Sequence, residues 1–291
     1  MNLRKIPRKN KMTNIKYHPC FSEKAHFKYG RIHLPVAPLC NLGCNYCFRV
    51  MDRSFCKEMD HPGVTSRIIT PKQSLSIVKN ELKKKKLSVV GIAGPGEPLA
   101  NKETFETMRI MKKEFPSLMR CLSTNGLLLP QSLPILKEIQ LSTLTVTLNA
   151  IDPEIGIQIY SFIVYNHKKY EGKDAFFILR ENQLKGIKEA IKLGIDVKVN
   201  SILIPEVNGE HLVEIAKLCA DMGVKIMNIT PLIPLYKFKD RRKPTCEEMT
   251  SIREKCGKFI EQFHLCKQCR ADAVGVPGLE NNGINEEYFH S

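Results

Sequence analysis

The sequence predicts an α/β fold, a partial (β/α)6 TIM-like barrel with N-terminal and C-terminal extensions. Six β-rich runs alternate with helical segments, and this alternation indicates a parallel sheet with right-handed crossovers. The length of 291 residues suits one such domain. Six units fall short of the eight of a full barrel. The β-rich runs are 31–37, 88–93, 119–124, 144–149, 196–203 and 225–229.

The ends of several predicted helices carry recognisable capping residues. The run 70–73 (Thr-Pro-Lys-Gln) is a predicted capping box with proline at the first helical position, and 245–248 opens a last helix in a similar way. Gly194 and Gly223 occupy positions typical of helix C-caps. These signals support the order of strands and helices on which the barrel prediction rests.

The chain is predicted to divide into four parts. They are a basic disordered tail (1–17), an N-terminal extension with ligands (18–30), the core barrel (31–235) and a C-terminal helical extension (236–291). Within the barrel, the insert 153–173 is a candidate lid, because it is long and rich in Ile, Tyr and Lys.

Composition excludes several classes of protein. A hydrophobic fraction of 43% is enough for a sizeable core, but no apolar run approaches the roughly 18 residues of a membrane span. No signal-peptide pattern precedes the first strand, so we expect a cytoplasmic protein without membrane contacts. Eleven cysteines in a reducing compartment indicate metal ligands or core residues rather than disulfides.

The net charge of +15 is unevenly distributed. Residues 1–16 contain six lysines and arginines and no acid, and a second lysine run, 83–86, lies where a helix ends. A nucleic-acid partner is one interpretation, and a flexible tail with a solvated helix end is the simpler one. An acidic protein or an anionic substrate fits equally well. The absence of tryptophan argues against a nucleic-acid partner that stacks its bases.

Polar and thiol groups follow the predicted strands at their carboxyl ends, where barrel enzymes place their active sites. The first run is followed by a cysteine triad, Cys40, Cys44 and Cys47, in C-x3-C-x2-C spacing. The segment 40–47 is the triad loop. Three thiolates that hold a four-iron cluster leave one iron open to bind and activate another molecule. The spacing resembles that of radical S-adenosylmethionine (SAM) enzymes; zinc or unliganded thiols are the alternatives.

SAM binding requires an acceptor for an ammonium group, donors for a carboxylate and polar groups for a ribose. The run 94–97 (Gly-Pro-Gly-Glu) offers exposed backbone beside a carboxylate and resembles the glycine-rich SAM-amino motif of these enzymes. For Asn125, an Asn-Gly turn is the alternative interpretation. The candidate SAM-binding residues are Gly94, Gly96, Glu97, Ser123, Thr124, Asn125, Asn149 and Asn200.

The other cysteines differ in their local patterns. Cys219 lies on an apolar helical stripe and is predicted to be a core residue. Cys246 opens a helix without a partner at ligand spacing. The pair Cys266 and Cys269 is typical of a metal-chelating turn, and Cys256 on the preceding helix is a candidate third ligand.

A second, dispersed set consists of Cys20 beside His18, Cys56 after the triad loop, and Cys121 in the third β-rich run. The position of Cys121 near the carboxyl end of a strand directs it toward the active-site mouth. A core role for Cys121 is the alternative.

Six sequence blocks together resemble the NifB family, the radical SAM enzymes of nitrogenase cofactor biosynthesis in nitrogen fixation. The resemblance extends from His18 to Gly275 and is to the short form without a fused NifX-like carrier domain. The blocks are HPCFSEKAH (18–26), GIAGPGEPLAN (91–101), LSTNG (122–126), NAIDPEI (149–155), VKVNS (197–201) and CKQCRADAVG (266–275).

The resemblance implies an enzyme that fuses two 4Fe–4S clusters and inserts a sulfide and a SAM-derived carbide, which gives an 8Fe-9S-C precursor. It implies that one SAM donates a methyl group. A second SAM is cleaved to a 5′-deoxyadenosyl radical, which abstracts hydrogen from that methyl group. The cofactors are then SAM and one radical-generating 4Fe–4S cluster, with two further 4Fe–4S clusters as substrate. The implied catalytic residues are Cys40, Cys44, Cys47 and Cys121. The implied metal ligands are Cys40, Cys44, Cys47, Cys20, Cys56, Cys121, Cys256, Cys266, Cys269 and His18.

The implied partners are iron–sulfur cluster donors, an electron donor, and a cofactor carrier or maturation scaffold that accepts the product. Two other functions remain open from the residues. One is another radical SAM enzyme with auxiliary clusters, acting in RNA modification or molybdopterin precursor synthesis. The other is a non-catalytic iron–sulfur scaffold, which accounts for the thiols but not for the polar groups at every strand end.

Overall fold

The computed structural model describes residues 14–47 and 62–279. Its main sheet has eight strands in the order β10-β9-β8-β5-β4-β3-β1-β11. All neighbouring strands are parallel except the edge strand β11, which is antiparallel to β1. The strands of this sheet are β1 (Gly30–His33), β3 (Leu87–Ile92), β4 (Met119–Thr124), β5 (Thr143–Thr147), β8 (Asp196–Leu203), β9 (Ile226–Pro231), β10 (Glu261–Gln262) and β11 (Val274–Gly275).

A second, antiparallel sheet has the order β2-β6-β7. Its strands are β2 (Leu42–Cys44), β6 (Tyr160–Tyr165) and β7 (Lys168–Glu171). The helices are α1 (Glu23–His26), α2 (Pro71–Lys84), α3 (Lys102–Glu114), α4 (Leu129–Glu138), α5 (Pro153–Ile159), α6 (Gly172–Lys192), α7 (His211–Asp221) and α8 (Cys246–Gly257). Short 3-10 turns occur at Asn14–Tyr17, Pro98–Ala100 and Tyr236–Phe238.

The two faces of the main sheet differ in polarity. Residues that are paired in register lie on the same face, because side chains alternate along each strand. One face supplies apolar residues to the core shared with the helices; it includes Ile92, Leu122, Leu144, Val197, Val199 and Met227. The opposite face is polar; it includes Arg31, His33, Cys121, Thr143, Thr145, Lys198, Asn200 and Asn228. The polar face is the interior of the partial barrel.

The two extensions cover the amino-terminal part of this interior. Phe21 of the N-terminal extension and Phe263 of the C-terminal extension form a buried apolar cluster with Ile226 of β9. The hydroxyl of Ser88 donates a hydrogen bond to the carbonyl of Tyr17 at 2.8 Å. The strand β11 also belongs to the C-terminal extension and pairs with β1. The described parts of the two extensions therefore complete the barrel.

A buried ion pair holds the C-terminal segment in place. Arg270 Nε donates to Asp272 Oδ1 at 3.0 Å, and both side chains are at most 2% exposed. Asp272 Oδ2 also accepts hydrogen bonds from Ser66 and Thr65. Burial alone raises the pKa of Asp272, but the hydrogen bonds from Arg270 and Ser66 outweigh it and the net pKa is lowered.

The structure confirms the α/β architecture with six parallel strands at the predicted places. The capping boxes opened by Thr70 and Thr245 are both present. Gly194 and Gly223 adopt φ values of 79° and 84° directly after α6 and α7. No helix among the described residues is long and apolar enough to cross a membrane.

Two segments differ from the prediction. The first strand ends at His33, because residues beyond it contact the neighbouring loop through an isolated bridge between Ala37 and Pro95 instead of a continued ladder. The insert 153–173 forms α5 and the β6–β7 hairpin, which pairs with β2. It is therefore part of a sheet with the triad loop rather than a separate lid. Most of the predicted tail 1–17 lies outside the described residues.

The buried ion pair is open to a direct test. We expect Asp272→Asn to destabilise the protein by about 3–5 kcal/mol, because it removes the carboxylate that pairs with the buried guanidinium of Arg270. Urea unfolding of the apoprotein measures this change. The matched control is Glu214→Gln, which breaks the exposed pair of Lys217 and Glu214 and should cost less than about 1 kcal/mol. Equal costs for both variants would contradict this account of the C-terminal segment.

Candidate active site

A cavity opens at the carboxyl ends of the strands, where barrel active sites lie. Its lining includes eight residues that the sequence predicted for the site: Cys40, Cys44, Cys47, Gly96, Glu97, Ser123, Thr124 and Asn125. Leu42, Tyr46, Ala93, Pro95, Thr147 and Tyr160 complete it. The structure therefore brings the cysteine triad, the glycine-rich loop and the end of β4 together around one space.

The triad loop is held by the β6–β7 hairpin. Leu42, Gly43 and Cys44 pair with residues 160–163 of β6. Gly43 faces the ring of Phe162, and a Cβ at position 43 would lie 2.5 Å from that ring. This close approach explains the glycine inside the C-x3-C segment. The three triad cysteines are not in disulfides and have intermediate exposure.

Asn149 connects the triad loop to the hairpin. Its side-chain nitrogen donates to the hydroxyls of Tyr46 at 2.9 Å and Tyr160 at 3.1 Å. Its side-chain oxygen accepts the backbone N–H of Ile202. Burial, with a smaller contribution from the nearby Cys44, raises the pKa of both tyrosines. Both hydroxyls therefore stay protonated, and the Asn149 amide positions the two rings.

The glycine-rich loop packs directly on the segment that leads into the triad. Gly96 N–H donates to Ala37 O at 2.7 Å, and Glu97 N–H donates to Leu39 O at 2.8 Å. A Cβ on Gly96 would lie 2.2 Å from Leu39 O, so only glycine allows this approach. The buried amide of Asn101 adds hydrogen bonds to Leu39 and to Glu97 O.

The Glu97 carboxylate joins this loop to the end of β4. Its Oε1 accepts hydrogen bonds from Thr124 Oγ1 at 2.5 Å and from Leu99 N–H at 3.0 Å. Its Oε2 accepts from Asn125 N–H at 2.7 Å. The side chain is 3% exposed. Glu97 thus fixes the relative position of two loops that line the cavity.

Two further polar residues, which sequence reasoning missed, support the same loops. Gln183 of α6 donates to Asn125 O at 2.8 Å and to Thr147 O at 2.9 Å. Asn41 Oδ1 accepts from Asn125 Nδ2 at 2.8 Å. These contacts join residues far apart in sequence, so no local pattern predicts them.

Two of the predicted polar residues, Asn149 and Asn200, lie outside the cavity lining. Asn149 is fully buried, and Asn200 Oδ1 accepts a hydrogen bond from Asn228 Nδ2 at 3.1 Å. Neither lines the cavity, and Gly94, which lies on the glycine-rich loop with a φ of 140°, does not line it either. The roles of all three residues toward SAM stay predictions.

A second group of thiols lies inside the barrel on the amino-terminal side of the cavity. Cys121 and Cys269 both lie close enough to the half-buried Cys20 for their charges to act on it. Arg31 Nη2 donates to Cys269 Sγ at 3.2 Å, and Lys198 Nζ donates to Cys20 O at 2.8 Å. Burial raises the pKa of the Cys20 thiol to about 12 and also raises that of Cys121.

His18 lies beside this group. Its Nδ1 accepts the backbone N–H of Cys20 at 3.1 Å. Its Nε2 is buried without a hydrogen-bond partner among the described residues. Burial lowers the pKa of His18 well below its ordinary value, so the imidazole is neutral. A buried neutral imidazole with an unused nitrogen is suited to metal ligation.

His33 is a candidate ligand that the sequence analysis missed. It lies in register with Gly91, which pairs in turn with Cys121; a Cβ on Gly91 would contact both His33 and Cys121. Its Nδ1 lies 3.2 Å from Arg270 O, an arrangement that leaves Nε2 available. Burial, aided by Arg31, lowers the pKa of His33 to about 4. The available signal was a histidine at an inward position of an otherwise apolar run.

The structure does not bring Cys256 to the Cys266–Cys269 turn. Cys256 faces the core between α7 and α8, where its Sγ donates to Leu212 O at 3.4 Å and burial raises its pKa to about 12. It shares that core with Cys219, which is buried as predicted. The spacing was misleading because the helix turns Cys256 away from the interior. Cys56 lies outside the described residues.

The donor set fits iron–sulfur clusters better than single ions. Within residues 14–47 and 62–279, no three His, Cys, Asp or Glu side chains converge on one ion. A four-iron cluster binds its thiolates at separate irons, which suits more widely spaced cysteines. Cys20 and Cys266 both pack against the Phe21 cluster, so the Cys266 turn also lies by the second thiol group.

Comparison with known proteins shows the family of the chain. The sequence profile of the Radical SAM superfamily matches residues 34–219. "FeMo cofactor biosynthesis protein NifB" of Methanocaldococcus jannaschii is 48% identical over 97% of this chain and 94% of its own length. The chain belongs to the NifB family. The NifB protein of Azotobacter vinelandii is 40% identical over 92% of this chain and 54% of its own length.

Solved structures show the same fold at low sequence identity. Streptococcus suis SuiB bound to S-adenosylmethionine aligns with a TM-score of 0.60 and 15% identity, over 82% of this chain and 51% of SuiB. The anSMEcpe structure with bound AdoMet aligns with a TM-score of 0.54 and 19% identity, over 79% of this chain and 57% of its own. As a member of the NifB family, the chain is a radical SAM enzyme whose cofactors are a 4Fe–4S cluster and SAM.

The Glu97 junction gives a prediction for cofactor binding. We expect Glu97→Gln to raise the dissociation constant for SAM about tenfold or more, because glutamine has one acceptor oxygen where the carboxylate uses two, and a lost hydrogen bond to a charged group costs about 1.5–3 kcal/mol. Equilibrium binding to the anaerobically reconstituted protein measures this constant. Glu106→Gln, at an exposed position of α3, is the control. Unchanged SAM affinity in a correctly folded Glu97→Gln protein would contradict the assignment.

Proposed function

We propose that this protein fuses two 4Fe–4S clusters with a SAM-derived carbide and a sulfide to form the 8Fe-9S-C precursor of the nitrogenase cofactor. One observation carries the proposal. The barrel interior holds a second group of thiols and imidazoles beside the cavity of the triad. A radical SAM enzyme that holds only the triad cluster has no evident use for such a group, and membership of the NifB family favours substrate clusters over auxiliary ones.

The two sites lie along the same inner face of β4. Ser123 lines the triad cavity, and Cys121 lies two residues earlier on the same face of β4. At about 3.3 Å per residue, this places the two positions about 7 Å apart along the strand. A substrate held at Cys121 therefore lies next to the space expected for SAM.

The residues divide into two roles. Cys40, Cys44 and Cys47 would hold the radical-generating cluster, which when bound supplies reductive cleavage of SAM to a 5′-deoxyadenosyl radical. The glycine-rich loop, Glu97 and the end of β4 would orient SAM over that cluster. The half-buried cavity limits water around the reacting groups.

The proposed ligands of the substrate clusters are Cys20, Cys56, Cys121, Cys266, Cys269, His18 and His33. Cys256 is left out because of its position in the core. This set is smaller than two fully coordinated clusters require. Incomplete coordination leaves irons that can form new bonds during fusion and allows the product to leave. Cluster donors, an electron donor and a product-accepting carrier or scaffold are the partners that such a reaction requires.

Reconstitution under anaerobic conditions tests the proposal. We expect about twelve irons per chain, since three clusters of four irons each are bound. Addition of SAM with dithionite should yield both S-adenosylhomocysteine, from methyl transfer, and 5′-deoxyadenosine, from radical formation. Chromatography quantifies both products. About four irons per chain, or 5′-deoxyadenosine alone, would overturn the fusion reaction and favour another radical SAM activity.

Replacement of Cys121 separates the two sites. We expect Cys121→Ala to lower the iron content toward eight per chain and to abolish formation of the fused cluster, while the triad still cleaves SAM. Iron analysis and the electron paramagnetic resonance spectrum report the loss. Cys246→Ala, at an exposed cysteine, is the matched control and should retain full iron content. Full iron content in Cys121→Ala would remove this cysteine from the ligand set.

A further inference from the structure

Two cationic side chains are buried inside the barrel next to the second thiol group. Arg31 is 1% exposed and Lys198 is 3% exposed. Lys198 lies on β8 and acts electrostatically on Cys20, on Cys121 and on the imidazoles of His18 and His33. Arg31 lies on β1 and contacts Cys269. Together the two cations border the space that the proposed cluster ligands surround.

Neither cation has a carboxylate partner in the described part of the chain. The ion pairs found there do not include Arg31 or Lys198; their hydrogen bonds go to Gly275 O, to Cys269 Sγ and to Cys20 O. Asp272, the carboxylate that acts on His33, is engaged by Arg270, Ser66 and Thr65. Buried charge without a counter-charge is strongly unfavourable.

Two side chains beside the second thiol group have buried polar atoms without hydrogen-bond partners among the described residues. These atoms are Arg31 Nε and His18 Nε2. Buried polar groups in native proteins nearly always have partners. Two such atoms, in side chains that border the same thiols, indicate that a bound group completes this region.

Lys198 is held in a defined position. Its ammonium lies 4.8 Å from the ring centroid of Phe21 and 5.3 Å from that of Phe263. Its hydrogen bond to Cys20 O is a third contact that fixes the position of the ammonium. Because the two rings and the carbonyl come from both chain extensions, closing the barrel also places the charge.

We propose that Lys198, assisted by Arg31, is the counter-charge that retains an anionic thiolate-bound iron–sulfur cluster at Cys20 and Cys121. The inference rests on the proposed function, since that function puts substrate clusters in this space. Thiols lose their protons when they bind metal, so every cluster adds negative charge to a buried region. Lys198 is a positioning residue: it sets how firmly the substrate cluster is held and how readily it is reduced.

The test compares Lys198→Met, which removes the charge at similar length, with Lys198→Arg, which keeps it. Lys188→Met, at an exposed position of α6, is the control. We expect Lys198→Met to hold fewer irons after anaerobic reconstitution, while Lys198→Arg regains most of them. In the cluster that Lys198→Met retains, loss of a nearby positive charge makes reduction harder. We expect about a tenfold change in the oxidised-to-reduced ratio, which is 59 mV for one electron, in a titration followed by electron paramagnetic resonance.

Stability of the apoprotein distinguishes this role from a structural one. An uncompensated ammonium destabilises the empty barrel, so Lys198→Met should unfold at the same or a higher temperature than wild type without iron. With iron, wild type should gain more stability than the variant. If Lys198→Met does not fold, or lowers the unfolding temperature equally in both states, Lys198 is a structural residue and the inference is wrong.

Two other outcomes show whether the inference alone or the proposed function as well is wrong. If wild type takes up about twelve irons and Lys198→Met matches it in both iron content and potential, the inference is wrong and the proposed function stands. If wild type binds only the four irons of the triad cluster, the proposed function is wrong and the inference is wrong with it. Recovery of the potential in Lys198→Arg supports the inference.

Discussion

The polar inner face of the parallel sheet is the constraint on which the rest of this structure depends. The outer face supplies the apolar core with the helices, so the inner face is left with arginine, histidine, lysine, cysteine and asparagine side chains. Such groups destabilise a fold unless they find partners. The chain covers them with its N-terminal extension, its C-terminal segment and the triad loop. Each of these three segments contains cysteines. The packing that closes the barrel therefore also brings the thiols to its interior.

A few buried polar contacts determine where these covers lie. Glu97 joins the triad segment to β4, Asn149 joins the triad loop to the hairpin, and the pair of Arg270 and Asp272 joins the C-terminal segment to residues 65–66. Hydrogen bonds to charged groups are stronger than neutral ones. The thiols are thus positioned by contacts that do not involve any cofactor, which is the preorganisation that a precise site requires.

Local signals in the sequence were sufficient for the succession of strands and helices, the capping boxes and most of the predicted residues around the triad cavity. Period-two patterns and capping residues act over a few positions, and the carboxyl ends of parallel strands meet by necessity. The remaining features depend on tertiary contacts. His33 was hidden in an apolar run because its role depends on the neighbouring Gly91 and Cys121 across the sheet. Gln183 acts on loops far from it in sequence.

Cys256 shows why spacing alone was not enough, and its surroundings suggest what distinguishes ligand cysteines from core cysteines in this chain. Burial raises the pKa of Cys256, of Cys219 and of Cys20 to about 12 alike. The charges around them differ. After burial, the largest influence on Cys256 is the carboxylate of Glu210, whereas for Cys20 it is the ammonium of Lys198. Metal binding requires a thiolate; the leading charge near Cys20 compensates a thiolate, whereas the leading charge near Cys256 opposes it. A neighbouring buried cation therefore supports the proposed ligand role of Cys20 in a way that burial or spacing does not.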